Sequence, residues 1–187
     1  MARGGIVGLL CASVLVLATS SCSAASTQAK YGPYRGQLVD VETNKPIAGA
    51  AVIAIWWEAV FNPVQGKQEF YDAKEAVTDA DGRFEIGRVD VPIYKLGVQP
   101  GQVSYFAPGY IPVEEIARPA TGELFVAPTV VLMRQLKTRE ELLKKRNTRP
   151  AGVPLEKMAE VTKAINVERK MLGFAPLPII SEEGRKQ

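Results

Sequence analysis

Apolar and polar positions change period three times along this chain of 187 residues. Tyr34 to Val41 reads as a strand. Glu42-Thr43-Asn44-Lys45-Pro46 is turn chemistry: Asn tolerates a left-handed backbone and Pro presets its own φ. Gly49 then admits a tight approach to Ala51–Trp57, which is apolar at every position. An unbroken run of this length is expected of a strand dry on both faces. Period two puts Val52, Ala54 and Trp56 on one side, and Ile53, Ile55 and Trp57 on the other. One side builds a core; the other needs a cover.

Asn62-Pro63 and Gly66 punctuate Glu58 to Gln68, which reads as a loop excursion. Further strands are expected at Glu69–Thr78 and Arg83–Ile86, joined by the turn Asp79-Ala80-Asp81-Gly82. Others follow at Pro92–Val98, Gln102–Ala107, Ile111–Ile116 and Glu123–Leu132, with Pro128 marking a bulge or an edge position. Short strands with frequent Gly and Pro turns argue an all-β sandwich. From Thr138 the period becomes helical. Thr138 with Glu141 forms a capping box, and Glu140–Lys144 and Glu141–Lys145 are favourable i,i+4 pairs. That helix should end near Asn147. A second should begin near Pro154 and carry Met158, Val161, Ile165 and Leu172 on one face, ending at Gly173. Helices this short need tertiary support. Their stripe is expected to dock on the second apolar face of Ala51–Trp57.

Charge separates the same two regions. Residues 23–133 hold 9 basic and 13 acidic side chains, and residues 134–187 hold 13 and 7. Lys144-Lys145-Arg146 reads as a solvated helix face, since Glu residues interleave and aromatics are lacking, so no nucleic acid is expected as a partner. The chain has no histidine, which removes the commonest general base and metal ligand. Both cysteines, Cys11 and Cys22, precede the expected fold, leaving it no thiol nucleophile, disulfide or thiolate metal site. No cofactor, no metal and no enzymatic activity are expected. Asp79, Asp81 and Gly82 resemble the opening of a calcium loop only superficially, because the later ligand positions fall in a strand. Glu114-Glu115, or Asp72 with Glu75, are not placed in a pocket by any sequence signal.

The N-terminus has the three parts of an export signal: Arg3, an apolar run from Ile6 to Ala18, and small residues after it. Leu17-Ala18-Thr19-Ser20-Ser21 before Cys22 resembles a bacterial lipoprotein box, departing from the usual pattern at Thr19. The resemblance implies cleavage before Cys22 and acylation of its thiol, with Ser23–Lys30 as a polar tether. Ordinary cleavage after Ala24 or Ala25 stays open. Export to the periplasm or cell surface, with membrane attachment through lipid at Cys22, is the expected location.

Gly36, Asp40, Pro46-Ile47-Ala48-Gly49-Ala50 and Val52, followed by Thr78-Asp79-Ala80-Asp81-Gly82-Arg83-Phe84-Glu85-Ile86, resemble the carboxypeptidase regulatory-like domain family. Pro108-Gly109-Tyr110 looks like the Gly-Tyr late in such domains. The resemblance implies a mainly β fold, a seven-stranded prealbumin-like Greek-key sandwich, here with a C-terminal helical extension. The expected organisation is a signal over 1–22, a tether over 23–33, the sandwich over 34–136 and the extension over 137–187. Domains of this family are accessory modules of exported proteins. A shared fold does not set a role, so the lack of catalytic chemistry in the residues is what makes the expected role a non-catalytic interaction or assembly module contacting an envelope protein. The alternative is glycan binding by aromatics near Trp57, with Phe61 and Tyr71 from the excursion.

Overall fold

The computed structural model describes residues 31–60, 66–113 and 129–180. Among these, seven strands form two sheets and two helices follow. The strands are β1 (Tyr34–Asp40), β2 (Ala51–Val60), β3 (Lys67–Val77), β4 (Arg83–Ile86), β5 (Gln102–Phe106), β6 (Tyr110–Pro112) and β7 (Thr129–Gln135). The helices are α1 (Arg139–Lys145) and α2 (Ala159–Met171), with a 3₁₀ turn at Leu155–Lys157 between them. One sheet has the order β4-β1-β7-β6 and the other β3-β2-β5. β1 and β7 run parallel.

The first core lies between the sheets. Leu38 comes from β1, Val52, Ala54 and Trp56 from β2, Phe84 and Ile86 from β4, and Val131 and Met133 from β7. Tyr34 stacks on Trp56, with ring centroids 5.8 Å apart. Its hydroxyl accepts the Gly101 N–H at 2.9 Å.

The second core lies on the other side of the β3-β2-β5 sheet. Ala51, Ile53 and Ile55 of β2 meet Met158, Val161, Ala164 and Ile165 of the tail. The run Ala51–Trp57 is thus dry on both faces, because one face builds the sandwich and α2 covers the other. Met158, Val161, Ile165 and Leu172 are all buried, as their spacing requires. Gly173, at φ +79°, follows the helix.

The two turn regions lock onto each other. Asn44 takes a left-handed φ of 55° and Gly49 one of 72°. Asp40 is buried and accepts the N–H groups of Glu42 and Thr43 at 2.8 and 3.0 Å. These bonds, Thr43's foremost, hold its carboxyl below the usual range. Thr78 donates its hydroxyl to the Ile47 carbonyl at 2.8 Å and accepts the Ala50 N–H at 2.9 Å. Asp79 accepts the N–H groups of Asp81 and Arg83, so its carboxylate is spent on shaping its own turn. Gly82 has φ +71°, and a Cβ there would stand 2.6 Å from the Leu38 carbonyl oxygen and 3.0 Å from the Ile47 nitrogen. Gly82→Ala is therefore expected to cost on the order of 3 kcal/mol, from left-handed strain plus a clash with unyielding backbone. Thermal denaturation followed by circular dichroism checks this.

Four expectations need correction. Glu58–Gln68 is not simply a loop: β2 continues to Val60 and β3 begins at Lys67, with Glu58 opposite Glu69 and Ala59 opposite Gln68. Cross-strand pairing overrides the local turn signals there. Pro92–Val98 is not a strand, because a turn closes from the Lys95 N–H to the Pro92 carbonyl and only Val98 bridges to Glu58. The last strand runs from Thr129 to Gln135 among the described residues, extending past Leu132 and lying between β1 and β6. α1 stops at Lys145, and α2 begins only at Ala159, after the 3₁₀ turn that follows Pro154. Pro128, Glu114, Glu115 and residues 1–30 lie outside the described residues.

Candidate functional site

The tail is fastened by two carboxylates as well as by apolar packing. Glu75, on β3, accepts the N–H groups of Val161 and Glu160 at 2.8 and 3.0 Å. It caps the first turn of α2 from another element, where orphan N–H groups and the helix dipole both favour a negative group. Burial pushes its carboxyl above the usual range, and the N–H groups pull the other way without cancelling it. The native state then binds its proton more readily than the unfolded chain. The contribution of Glu75 to stability falls as pH rises from the ordinary glutamate range through the raised one. Glu75→Ala is expected to cost about 1–2 kcal/mol by orphaning both N–H groups. Glu75→Gln should cost less, and its standing against the wild type should improve as pH rises through that window. Denaturant titration at several pH values checks both.

Glu168, on α2, is 1% exposed. Its Oε1 accepts the Asn147 N–H at 2.8 Å; its Oε2 accepts Asn147 Nδ2 at 2.9 Å and the Gly109 N–H at 3.2 Å. One side chain thus ties α2 to the β5–β6 turn and to the segment after α1. Neither role was visible in the sequence, where Glu75 stood only as half of a carboxylate pair and Glu168 as one charge among many. Asp72, its expected companion, bonds instead to the Ala73 N–H and pairs with Lys157 at 3.2 Å. Asp40, Thr78, Thr162 and Glu168, the buried polar side chains among the described residues, each bond to backbone.

The aromatics expected to bind ligand do not share a face. Trp57 turns toward the tail, edge-on to Phe70 at 6.0 Å between centroids, and a Cβ at Gly152 would stand 3.1 Å from its ring. β3 carries one extra residue opposite the Trp56–Trp57 step, and this bulge sets the direction of Tyr71. Tyr71 packs toward the inter-sheet core and donates its hydroxyl to the Asp90 carbonyl at 3.0 Å. Phe61 lies outside the described residues. Trp57 and Tyr71 therefore make no common shelf.

A better-formed concavity opens where β4 and the end of β3 border the outer side of the β4-β1-β7-β6 sheet. This groove has a volume of about 530 Å³. Val77, Phe84 and Val130 supply apolar lining, and Arg35, Asp79, Arg83 and Glu85 supply charge. Val77 and Val130 are each 47% exposed, high for side chains of their size on a strand. Arg35 pairs with Glu85 across the β1–β4 ladder at 2.7 Å, and the ion pair raises the guanidinium and lowers the carboxyl from their usual ranges. Opposed to each other in register, Arg35 with Glu85 and Gln37 with Arg83 line up on one sheet face.

Compared with models of known families, with curated proteins and with solved structures, the chain matches none of them.

The groove is an apolar strip with a charged border, the composition of a protein contact patch. Beside it, β4 pairs with β1 alone among the described residues, and the Arg83 backbone on its outer edge is taken up by Asp79. No helix among the described residues is long and apolar enough to cross a membrane.

Proposed function

We propose that this chain is a non-catalytic module of a bacterial cell envelope, attached to the membrane through lipid at Cys22, that holds a protein partner in the β4 groove. The groove carries the reading: Val77 and Val130 offer apolar contact in the open, and Arg35 and Glu85 offer orientation. The absence of histidine from the chain and the structural employment of Asp40, Thr78, Glu75 and Glu168 support contact over bond-making. Separation of Trp57 from Tyr71 gives glycan stacking less support than protein binding.

Membership of the carboxypeptidase regulatory-like family, with its prealbumin-like Greek-key path, is part of the same proposal. Two observations support it. The Pro46-Ile47 and Asp81-Gly82 motifs meet at the Gly82 contact, which gives a physical reason for their occurring as a pair. The chain also returns at β7 to lie parallel beside β1, between strands of a sheet it left after the first strand.

A photo-crosslinking residue placed at Val130 in the full chain, in its own membranes, tests the function. A discrete crosslinked protein is expected, weakened by Arg35→Glu and missing when the probe replaces Val167, an equally exposed valine of α2. Identical products from both positions would overturn the groove reading. Saturable turnover of any substrate, abolished by one substitution in the folded part, would overturn the non-catalytic one.

A further inference from the structure

Between β4 and β5 the chain presents Pro92-Ile93-Tyr94-Lys95-Leu96 as a tight turn. Ile93, Tyr94 and Leu96 are 92%, 78% and 83% exposed. Three large apolar side chains this bare are unusual on one short segment, and each stands to gain free energy on burial. The turn is not loosely held. Its flanks, Val89 and Val98, are buried in the first core. The Lys95 N–H closes onto the Pro92 carbonyl at 2.9 Å, Ala59 donates its N–H to the Gly97 carbonyl at 2.8 Å, and Gln99 donates to Trp57 at 2.7 Å. Lys95 is paired with Glu58 at 2.6 Å. The fold fixes the turn from both ends and points its apolar side chains into solvent.

Its position names the occupant. Val89 donates its N–H to the Tyr31 carbonyl at 2.9 Å, and a Cβ on Gly32 would lie 3.3 Å from the Arg88 Cα. The N-terminal 30 residues therefore join the fold beside Arg88–Val89, three residues from the turn. From Cys22 to Lys30, eight residues reach at most about 28 Å when extended. A lipid at Cys22 would keep the point of attachment, beside the turn, within that distance of a bilayer.

We propose that the Pro92–Leu96 turn inserts into the headgroup layer of the membrane and, together with the N-terminal lipid, fixes the orientation of the sandwich. The inference rests on acylation of Cys22. The lipid holds the chain to the membrane and the apolar tip adds a second point of contact, giving a defined pose where the lipid alone leaves the domain free to swing. A tyrosine between two aliphatic residues suits the interface, where the ring is half wet and the hydroxyl reaches water. Lys95 and Lys67 are paired with Glu58 and Glu69, so apolar area is the main drive for insertion of the turn.

The test uses the full chain with Tyr94→Cys, labelled with an environment-sensitive fluorophore and reconstituted into vesicles of phosphatidylethanolamine and phosphatidylglycerol. The parent chain treated with the same dye is the blank, and Asp81→Cys, in the turn at the far end of β4, is the control. Incorporation of labelled palmitate at Cys22 is read separately. A blue shift and quenching by spin-labelled lipid are expected at position 94 and not at 81, and both should vanish when Ile93→Ser and Leu96→Ser are added. If Cys22 is acylated and the dye at 94 remains as aqueous as at 81, the insertion proposal falls and the lipid anchor stands. If Cys22 takes no palmitate and the dye at 94 still enters vesicles, insertion stands and the anchor falls. A shift without vesicles that grows with protein concentration would mean that the turn meets a second copy of the chain, and would overturn insertion.

Discussion

Removal of residues 138–187 is expected to leave an aggregating chain rather than a smaller sandwich. The truncation uncovers Ala51, Ile53, Ile55, Ala73 and Phe106, which α2 and the segment before it bury from the tail side. Trp57 and Phe70, now half-buried beneath the tail, would be bared with them. Each large side chain returned to water costs about 1.5–3 kcal/mol. A few such losses equal the whole stability of an ordinary domain, about 5–15 kcal/mol. Contiguous exposed apolar surface of this kind also drives self-association. Soluble yield and thermal melting of the truncated chain measure the effect. A soluble variant melting within a few degrees of the full chain would show that the tail is an appendage and not a wall of the second core.

Glu168→Ala should be among the most damaging single substitutions in the tail. It orphans the N–H groups of Gly109 and Asn147 and the Asn147 amide, all gathered on one buried carboxylate. Bonds to a charged acceptor contribute about 1.5–3 kcal/mol each, and orphaned donors are costly in their own right. A loss of at least about 3 kcal/mol follows, with a further penalty for the hole left behind. In a domain of this size that lowers the melting temperature by roughly 6–12 °C. Glu168→Gln keeps the shape and one acceptor but turns an amide N–H toward an existing donor. It should therefore fall between the wild type and Ala. Equal melting temperatures for all three would mean that the apolar stripe of α2 holds the tail unaided.

Acidic conditions should loosen the first turn. Asp40's carboxyl is held below the usual range by the Thr43 and Glu42 N–H groups, so its stabilising share is present above the ordinary aspartate range. That share fades as pH falls through the lowered one. Glu75 behaves in the opposite sense, which separates the two groups in a pH series.

Much of the molecule was legible from residue pattern. The split of β2 into Val52, Ala54 and Trp56 against Ile53 and Ile55 follows from period two, and the structure buries the two sets in different cores. Thr138 and Glu141 form the reciprocal cap that their spacing implies, with Thr138 Oγ1 accepting at 3.1 Å. Asp40 and Gly82 occupy turns whose chemistry is local. The misread segments are those where local and distant preferences disagree. Val60 and Lys67 continue strands despite nearby Asn, Pro and Gly, because each residue of β2 finds a partner on β3. Ile93 and Tyr94 have strand-forming side chains but no partner strand, so Pro92 sets a turn instead.

The candidate surfaces were legible only in part. An aromatic cluster near Trp57 is the alternative contact that the sequence offers, yet a one-residue bulge and the tail divide Trp57 from Tyr71. The groove joins Arg35, Val77, Glu85 and Val130 from four strands. No spacing rule relates them.

By itself, the order of residues determined the two faces of β2 over Ala51–Trp57, the turns at Asp40–Pro46 and Asp79–Gly82, the cap of α1 and the need for a cover over β2. These depend on neighbours within a few positions, where backbone geometry is nearly constant. Only the tertiary structure decided that Glu75 caps a helix 85 residues away, that Glu168 reaches Gly109, and that the N-terminal segment joins the fold beside the bare Pro92–Leu96 turn. Those contacts depend on how whole sheets and helices come to rest against one another, and one displaced element would change every one of them.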